Sequence, residues 1–279
     1  DGQLRPAELI ALAEKQKLAA IALTDHDTVA GLAEAKAAAR SVGSIEFITG
    51  VELSAKTNFR IMHILGLGID ETSPAIIDLC RQLRDARDDR NPKILAKLAR
   101  MGIDITMDEV YQAAGVDKND CEHAVISRMH IAEVMRKNSR VRSITEAFDK
   151  YIGSGCEAYV DKERLFPEEV ISAIHKSGGL AVLAHPALLG CFNSSQFIRV
   201  LRNLIHHNLD GIEVYHSSHS PIQTRHYLDL ARKYNLLVTG GSDFHGCGKP
   251  NVKLGYPRVP LAALGDKRHM LLPNPKSQL

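Results

Sequence analysis

Histidine and carboxylate side chains recur at the ends of apolar segments of this sequence. They are Asp25 and His26 after 19–23, Glu52 after 47–51, His63 within 61–67, His185 after 180–184, and Asp243 and His245 after 235–239. Residues two apart in an extended chain point the same way, so Asp243 and His245 could bind one ligand together. A polar group at such a position is costly without a partner, and the recurrence therefore indicates a shared site.

The mixture of imidazole and carboxylate groups indicates which chemistry the site could perform. Such ligands suit manganese, zinc or iron, whereas a site of oxygen ligands alone would suit magnesium or calcium. Two or three metals held ~3.5 to 4 Å apart hydrolyse phosphate esters, because they neutralise the phosphoryl oxygens and lower the pKa of a bridging water. Glu52 follows Gly50 and Val51 at a strand end, where its carboxylate could bridge two metals.

Helix and strand signals alternate along most of the chain. The pattern predicts helices over 6–16, 29–41, 167–177, 195–207 and 222–234, and strands over 19–23, 47–51, 61–67, 180–184, 211–214 and 236–239. Alternating units of this kind imply a parallel sheet, and six or more of them favour an α/β barrel that keeps its chemistry at the strand ends.

The alternation stops between residues 73 and 161, where helices are predicted over 74–98, 107–114, 127–137 and 144–151. We therefore predict a barrel formed by 1–72 and 162–279, and a helical insertion, 73–161, over the active site.

The first helix of this insertion carries four arginines at roughly helical spacing, Arg81, Arg84, Arg87 and Arg90. Three aspartates, Asp85, Asp88 and Asp89, alternate with them. The pattern favours a solvated helix face on which the charges balance.

The composition narrows the functional classes. A chain of 279 residues with 44% hydrophobic residues can bury a sizeable core, and its net charge of +2 gives no strong global attraction to nucleic acid or membrane. The five cysteines are widely spread without a CxxC motif, which argues against a disulfide framework or a thiolate zinc site and favours a reducing cytoplasm. No apolar run approaches the ~20 residues of a membrane helix.

The order of the motifs resembles that of the PHP (polymerase and histidinol phosphatase) family of metal-dependent phosphoesterases, over nearly the whole chain. The motifs are Thr24-Asp25-His26-Asp27, Gly50-Val51-Glu52, His63, Ala184-His185-Pro186 and Ser242-Asp243-Phe244-His245. The resemblance implies a distorted (β/α)7 barrel with a trinuclear metal site at the carboxyl ends of the strands. By this resemblance, one metal would be bound by Asp1, His26 and His245, and a second by Glu52, His63 and His185. The third would be bound by Asp243 together with Glu52.

The sequence departs from the family pattern at its beginning. The family has a His-x-His motif on its first strand, followed by Ser-Asp-Gly, and here Asp1-Gly2 matches only the end of that motif. We expect that the sequence starts late and that the first strand precedes it.

Three further segments resemble one bacterial branch of the family. They are Gly66-Leu67-Gly68-Ile69-Asp70, Ile126-Ser127-Arg128-Met129-His130 and Ser217-Ser218-His219-Ser220. The branch includes a phosphatase of 3',5'-nucleotide bisphosphates and a 5'-to-3' exonuclease of short RNA. Its phosphate-binding Arg and His fall on Arg128 and His130. Where the branch carries Gly-Arg, this chain has Ala187-Leu188, so the nucleotide specificity stays open.

The sequence thus predicts a cytoplasmic phosphoesterase with two or three divalent metals, manganese first and iron or zinc as alternatives. The substrate is a phosphorylated nucleotide or short RNA, and neither a membrane nor an obligatory protein partner is expected. Arg128 would stabilise charge on the phosphoryl group, His185 or His219 would protonate the leaving oxygen, and His130 and His219 would bind substrate. The alternatives are a histidinol-phosphate-type phosphatase and, without the His-x-His motif, a non-catalytic scaffold.

Overall fold

Six strands and the helices between them make up the part of the chain that the computed structural model describes, residues 2–59, 61–117, 124–192 and 194–271. The strands are β1 Ala20–Leu23, β2 Glu46–Ala55, β3 Met62–Leu67, β4 Leu180–Leu183, β5 Gly211–His216 and β6 Leu237–Gly241. The α-helices are α1 Pro6–Lys15, α2 Leu32–Val42, α3 Pro74–Arg100, α4 Met107–Ala113, α5 Arg128–Lys137, α6 Ile144–Ala147, α7 Pro167–Lys176, α8 Ser195–His206, α9 Pro221–Lys233 and α10 Arg268–Leu271. A π-helical turn, Phe148–Ile152, follows α6, and 3₁₀ turns lie at Pro186–Leu189, Gly246–Gly248 and Leu261–Lys267.

The six strands form one sheet in sequence order, from β1 to β6. Strand β1 is parallel to β2, and β4, β5 and β6 are parallel to one another, but β3 runs antiparallel to both β2 and β4. The prediction of a wholly parallel sheet is therefore wrong at β3. Only residues 56–61 join β2 to β3. So short a connection makes a hairpin, because a parallel neighbour needs a crossover of a dozen or more residues.

The sheet is curled, so that its first and last strands approach each other at one edge. Strands β1 and β6 are five strand spacings apart, which would be roughly 24 Å in a flat sheet. Yet the ring centroids of His26, just after β1, and His245, just after β6, are 6.3 Å apart. The described fold is a mixed α/β structure with a curled six-stranded sheet, and the closed (β/α)7 barrel stays a prediction.

Close strand packing at Gly50 helps to form the edge of the sheet where the histidines lie. A Cβ atom at Gly50 would lie 2.7 Å from the side chain of Thr24, 3.0 Å from the carbonyl oxygen of Leu23 and 3.2 Å from that of Gly66. Real Cβ atoms essentially never come as close to another atom as the 2.7 Å to Thr24, and the contacts with the two carbonyl oxygens would also be unusually tight, so glycine lets β1, β2 and β3 meet here.

The chain divides into two compact units, 81–164 and a second made of 2–80 and 165–271. The second unit contains the sheet, with α7 packed on β2, β3 and β4 and α9 on β5 and β6. Strand β4 is entirely apolar and buried, as expected for a strand covered on both faces. None of the helices in the described ranges has the length and hydropathy of a bilayer-crossing segment.

The unit 81–164, called the helical unit below, is helical and has a core of its own. Its buried residues come from the second half of α3 and from α4, α5 and α6, and they include Ile94, Leu98, Val110, Ile131 and Met135. Two of its helices begin at a capping residue. Thr106 and Ser127 accept hydrogen bonds from backbone N–H groups in the first turns of α4 and α5.

Three of the four arginines on α3 are buried, which contradicts the solvated face predicted from their spacing. Arg84, Arg87 and Arg90 expose 8%, 7% and 5% of their surface, whereas Arg81 is exposed. They continue the buried stripe that Ile94 and Leu98 complete further along the helix. The helical spacing does place these three arginines on one face of α3, but that face is packed against protein rather than solvated.

Candidate metal site

The segment after β1 is fixed against β2 by backbone hydrogen bonds. The N–H of Asp27 donates to the carbonyl oxygen of Glu52 (2.9 Å), and the N–H of Glu52 donates to that of Asp25 (3.0 Å). The fully buried Asp27 has a positive φ of 53°, and its carboxylate accepts from the backbone N–H of Ser54 (3.1 Å). These bonds hold His26, which pairs with Glu52 in an isolated parallel bridge, at the edge of the sheet.

Glu52 is the centre of a group of histidines. Its Oε1 lies 2.5 Å from Nδ1 of His63 and 2.8 Å from Nε2 of His185, and its Oε2 lies 3.7 Å from Nδ1 of His26. The ligand atoms of His26, Glu52 and His63 all lie within 4.8 Å of one another. The structure thus brings together four side chains that come from β2, from β3 and from the ends of β1 and β4.

His63 and His185 reach this edge of the sheet for different reasons, His63 through the direction of its strand and His185 through a strained backbone conformation. His63 is the second residue of β3, and because β3 is antiparallel, its beginning lies at the edge where β2 and β4 end. His185 follows β4 with a φ of 24° and a ψ of 61°, a conformation that a non-glycine residue adopts only when its surroundings impose it. Its N–H donates to the Oε2 of Glu213 (2.7 Å), which holds the backbone in that position.

The charges in this group depend on one another. Burial alone would raise the pKa of Glu52, but the charges of His26 and His63 and the hydrogen bonds from His185 and His63 hold it well below its usual value. Burial lowers the pKa of His63 to about 4 despite the neighbouring carboxylate. For His185, burial acts downward too, but Glu52 raises its pKa to about 9. Without metal, the proton of the group is therefore held between His185 and Glu52.

The donor set fits a transition-metal cation. Nδ1 of His63 faces both the Oε1 of Glu52 and the Nε2 of His185, from which it is 3.2 Å away. Two ring nitrogens and one carboxylate oxygen that face each other have more lone pairs than a single proton can satisfy. A divalent cation can accept all of them, and neutral imidazole with carboxylate is a ligand mixture that manganese, iron and zinc accept.

The end of β6 adds a second acid and a further histidine. Oδ1 of Asp243 lies 3.3 Å from Nδ1 of His245, its Oδ2 lies 3.6 Å from Nε2 of His216, and its carboxylate also contacts Nζ of Lys249. Burial alone would raise the pKa of Asp243, but the His216 ring and the positive charges of Lys249 and His245 hold it well below its usual value. The ring of His245 faces that of His26.

Two buried residues of β5 also lie at this site: Glu213, which the sequence analysis missed, and His216, which the sequence places after a strand where it could contact substrate. Glu213 accepts a hydrogen bond from the backbone N–H of His185. Burial raises the pKa of its carboxyl group. His216 accepts the backbone N–H of Ser218 at Nδ1 (3.1 Å), so its proton lies on Nε2, which faces Asp243. Its ring is 5.5 Å from that of His185. The sequence does carry a signal for Glu213, because this acid stands between the apolar Ile212 and Val214. The same kind of position, an acid in an apolar segment, identified Glu52.

His219 lies after β5 in a largely buried position. Its Nδ1 donates to the carbonyl oxygen of Val214 (2.9 Å), and its Nε2 is buried and has no hydrogen-bond partner among the described residues. Burial lowers its pKa to about 4, so the ring is neutral at pH 7 with a lone pair on Nε2. Such a nitrogen accepts a hydrogen bond but has no proton to donate.

The remaining predicted residues lie elsewhere in the chain. Arg128 and His130 are on α5, within the helical unit. Nη1 of Arg128 donates to the carbonyl oxygen of Ile152 (3.0 Å), and Nδ1 of His130 accepts the N–H of Ser127 (3.3 Å). Asp1 lies outside the described residues.

Comparisons with known proteins identify relatives of the chain. The PHP domain model matches residues 1–242. The chain is 33% identical over 250 residues to a 5'-3' exoribonuclease of Haemophilus influenzae, covering 89% of this chain and 87% of the relative. It is 33% identical over 259 residues to a 3',5'-nucleoside bisphosphate phosphatase of Chromobacterium violaceum, covering 92% and 87%. A solved structure from Bifidobacterium adolescentis, described as a metal-dependent phosphoesterase, superposes with a TM-score of 0.81 at 32% identity, covering 92% of this chain and 87% of that one.

Proposed function

The chain belongs to the PHP domain family, and we propose that it is a metal-dependent phosphoesterase that hydrolyses phosphate esters of nucleotides. Its substrates are 3',5'-nucleotide bisphosphates, short RNA degraded from the 5' end, or both. The observation that supports this most is the buried carboxylate of Glu52, which meets ring nitrogens of three histidines at one edge of the sheet.

The metal ligands in this proposal come from the strand ends. They are Asp1, His26, Glu52, His63, His185, Asp243 and His245. Two or three divalent ions would be held, manganese first and iron or zinc as alternatives, because the ligands mix imidazole and carboxylate. Bound ions of this kind neutralise phosphoryl oxygens and lower the pKa of the attacking water.

Two buried residues of β5 act as positioning residues in this proposal. Glu213 binds the N–H of His185 and so keeps that ring against Glu52. His216 directs its Nε2 toward Asp243 and fixes the orientation of that carboxylate.

Three side chains are proposed to act on the substrate. The guanidinium of Arg128 presents N–H groups to phosphate and stabilises charge on the phosphoryl oxygens as the reaction proceeds, and His130 assists it in binding. His219 accepts a hydrogen bond from the substrate at its free Nε2. Neutral His219 and metal-ligating His185 both lack a proton to donate at these nitrogens, so we assign protonation of the leaving oxygen to water.

A cytoplasmic location is part of the proposal. The thiols of Cys80, Cys156 and Cys191 are free, as is usual in a reducing compartment.

A phosphate-release screen with metal analysis tests the function. The full-length protein would be loaded with manganese, iron or zinc and assayed on adenosine 3',5'-bisphosphate, a 5'-phosphorylated oligoribonucleotide and histidinol phosphate. We expect release of phosphate or of the 5' nucleotide from the first two substrates and little from the third. If the protein instead prefers histidinol phosphate, it is a histidinol-phosphate-type phosphatase and the nucleotide substrates are wrong. A lack of hydrolysis with every metal and substrate would favour the non-catalytic scaffold.

A further inference from the structure

Glu52 and Asp243, the two acids among the proposed metal ligands, have opposite surroundings. Around Glu52, the Nδ1 of His63 and the Nε2 of His185 face the same carboxylate oxygen, and they lie 3.2 Å from each other. These nitrogens have lone pairs to offer to a cation. The described neighbours of Asp243 instead bring protons and positive charge to the carboxylate.

The first of these neighbours is His216, which presents an N–H group. Its Nδ1 accepts the backbone N–H of Ser218 (3.1 Å), so its proton lies on Nε2, 3.6 Å from Oδ2 of Asp243. A protonated ring nitrogen has no lone pair for a metal. His216 therefore orients the carboxylate of Asp243 but does not share a metal ion with it.

The second neighbour, His245, also turns a protonated nitrogen toward Asp243. Its Nδ1 donates to the backbone carbonyl oxygen of Asp243 (2.9 Å) and lies 3.3 Å from Oδ1 of the same residue. A carbonyl oxygen only accepts hydrogen bonds, so the lone pair of the neutral ring is on Nε2. His245 can thus bind a metal through Nε2 while its Nδ1 stays on Asp243.

The third neighbour is the ammonium group of Lys249, which contacts Oδ2 of Asp243. The 3₁₀ turn Gly246–Gly248 brings this lysine back toward the end of β6. Its backbone is held on both sides, because its N–H donates to the carbonyl oxygen of Gly246 (3.1 Å) and its carbonyl oxygen accepts the N–H of Val252 (2.9 Å). The side chains of Lys249 and Asp243 are 37% and 16% exposed, so water screens the pair only in part.

These neighbours compensate the negative charge of Asp243 with groups of the chain itself. Burial and the charge of Glu52 raise the pKa of Asp243, but His216, Lys249 and His245 outweigh them, and the pKa lies well below its usual value. The charged carboxylate is therefore stable before any metal ion binds to it.

A divalent ion on Asp243 would have to lie beside the ammonium of Lys249. Metals bind carboxylate oxygens at ~2.0 to 2.2 Å, so an ammonium on the same carboxylate would be only roughly 4 Å from the ion, where like charges repel strongly. We propose that Lys249 takes the place of a third metal ion at Asp243 and that this chain therefore binds two divalent ions.

The inference rests on the proposed function, because it takes the metal ligands from there. One ion would be bound by Asp1, His26 and His245, and the other by Glu52, His63 and His185. It adds the number of ions and a role for Lys249, to which the proposed function gives none. Lys249 acts here as a positioning residue, since it contacts Asp243 and excludes an ion from it.

Counting the bound ions tests this role apart from turnover. The full-length protein would be stripped with EDTA and dialysed against a series of manganese concentrations, and the manganese per chain would be measured by mass spectrometry. Lys249→Met removes the ammonium and keeps an unbranched side chain, whereas Lys249→Arg keeps the positive charge. The matched control is Lys253→Met, which removes the same charge from an exposed position further along the same segment.

We expect wild type, Lys249→Arg and Lys253→Met to hold two ions per chain in the concentration range where Lys249→Met holds three. The third ion should bind Lys249→Met about tenfold or more tightly than wild type, a value that allows for the partial exposure of the lysine. A merely structural lysine would change the unfolding temperature but not the number of ions.

Two results would overturn the inference and leave the proposed function intact. One is a wild type that holds three ions of similar affinity, a measurement that needs no variant to fold. The other is a folded Lys249→Met with the same number of ions and the same affinities as wild type. A wild type that holds fewer than two ions would instead refute the multinuclear site of the proposed function, and this inference with it.

Discussion

Replacement of Glu52 by glutamine probes the centre of the proposed metal site with the smallest possible change of shape. The amide keeps an oxygen that can accept hydrogen bonds but removes the negative charge. The backbone bonds of Glu52 to Asp25 and Asp27 and the pairing of β2 with β3 do not depend on that charge. We therefore expect Glu52→Gln to fold and to lose its metal and its turnover together.

The distances in the site give the size of the effect. Glu52 lies 2.5 to 3.7 Å from the ring nitrogens of His63, His185 and His26. Unit charges ~4 Å apart interact by about 4 kcal/mol at an effective dielectric constant near 20. A cation bound in place of the shared proton would therefore lose at least about 4 kcal/mol of binding free energy in Glu52→Gln, which lowers its affinity roughly 10³-fold.

Metal content, phosphate release and thermal unfolding would be measured on one preparation. The matched control is Glu213→Gln, another buried acid whose Oε2 accepts the N–H of His185, a bond that an amide oxygen can also accept. The control should keep its metal. Glu52→Gln with wild-type metal content and activity would refute the bridging carboxylate and the multinuclear mechanism.

Three further predictions concern the substrate residues and the strand packing. Arg128→Ala should raise KM for adenosine 3',5'-bisphosphate more than tenfold, a loss of about 1.4 kcal/mol or more, whereas Arg136→Ala on the exposed side of the same helix should not change KM. Burial lowers the pKa of His130 to about 4, below the 6.5 of the unfolded chain, so its contribution to stability is complete above pH 6.5 and is lost as the pH falls toward 4. His130→Gln, which keeps the α5 cap, should remove up to about 1.4 kcal/mol per pH unit of that dependence in denaturant unfolding. Gly50→Ala should lower the free energy of unfolding by about 1 to 3 kcal/mol, because its Cβ would meet Thr24 and two carbonyl oxygens, and an unchanged unfolding midpoint would contradict this packing.

The residues at the centre of the site were predictable because neighbouring strands end at a common edge. That geometry alone suggests that His26, Glu52 and His185 lie together. His63 lies beside them, although its strand runs opposite to the predicted direction. It stands at the beginning of β3 rather than at the end, and this position is the sign of an antiparallel strand among parallel ones.

Other features depend on tertiary packing that no local pattern encodes. Helical spacing groups Arg84, Arg87 and Arg90 on one face, but it does not say whether that face meets solvent or protein. The role of His216 depends on the irregular register between β5 and β6, where the pairing shifts between Glu213 and Tyr215. A one-residue shift of this kind changes which side chain faces Asp243, and the sequence carries no separate signal for it.

The site around Glu52 has a physical property that affects the stability of the ligand-free protein. Ring nitrogens of His63 and His185 converge on each other and on the carboxylate of Glu52 with too few protons to satisfy them. This arrangement destabilises the fold until a cation binds, and binding then stabilises it by mass action. Divalent metal should therefore raise the unfolding temperature of the wild type, and Glu52→Gln should remove this response. An equal rise of the unfolding temperature in both proteins would mean that the metal binds elsewhere.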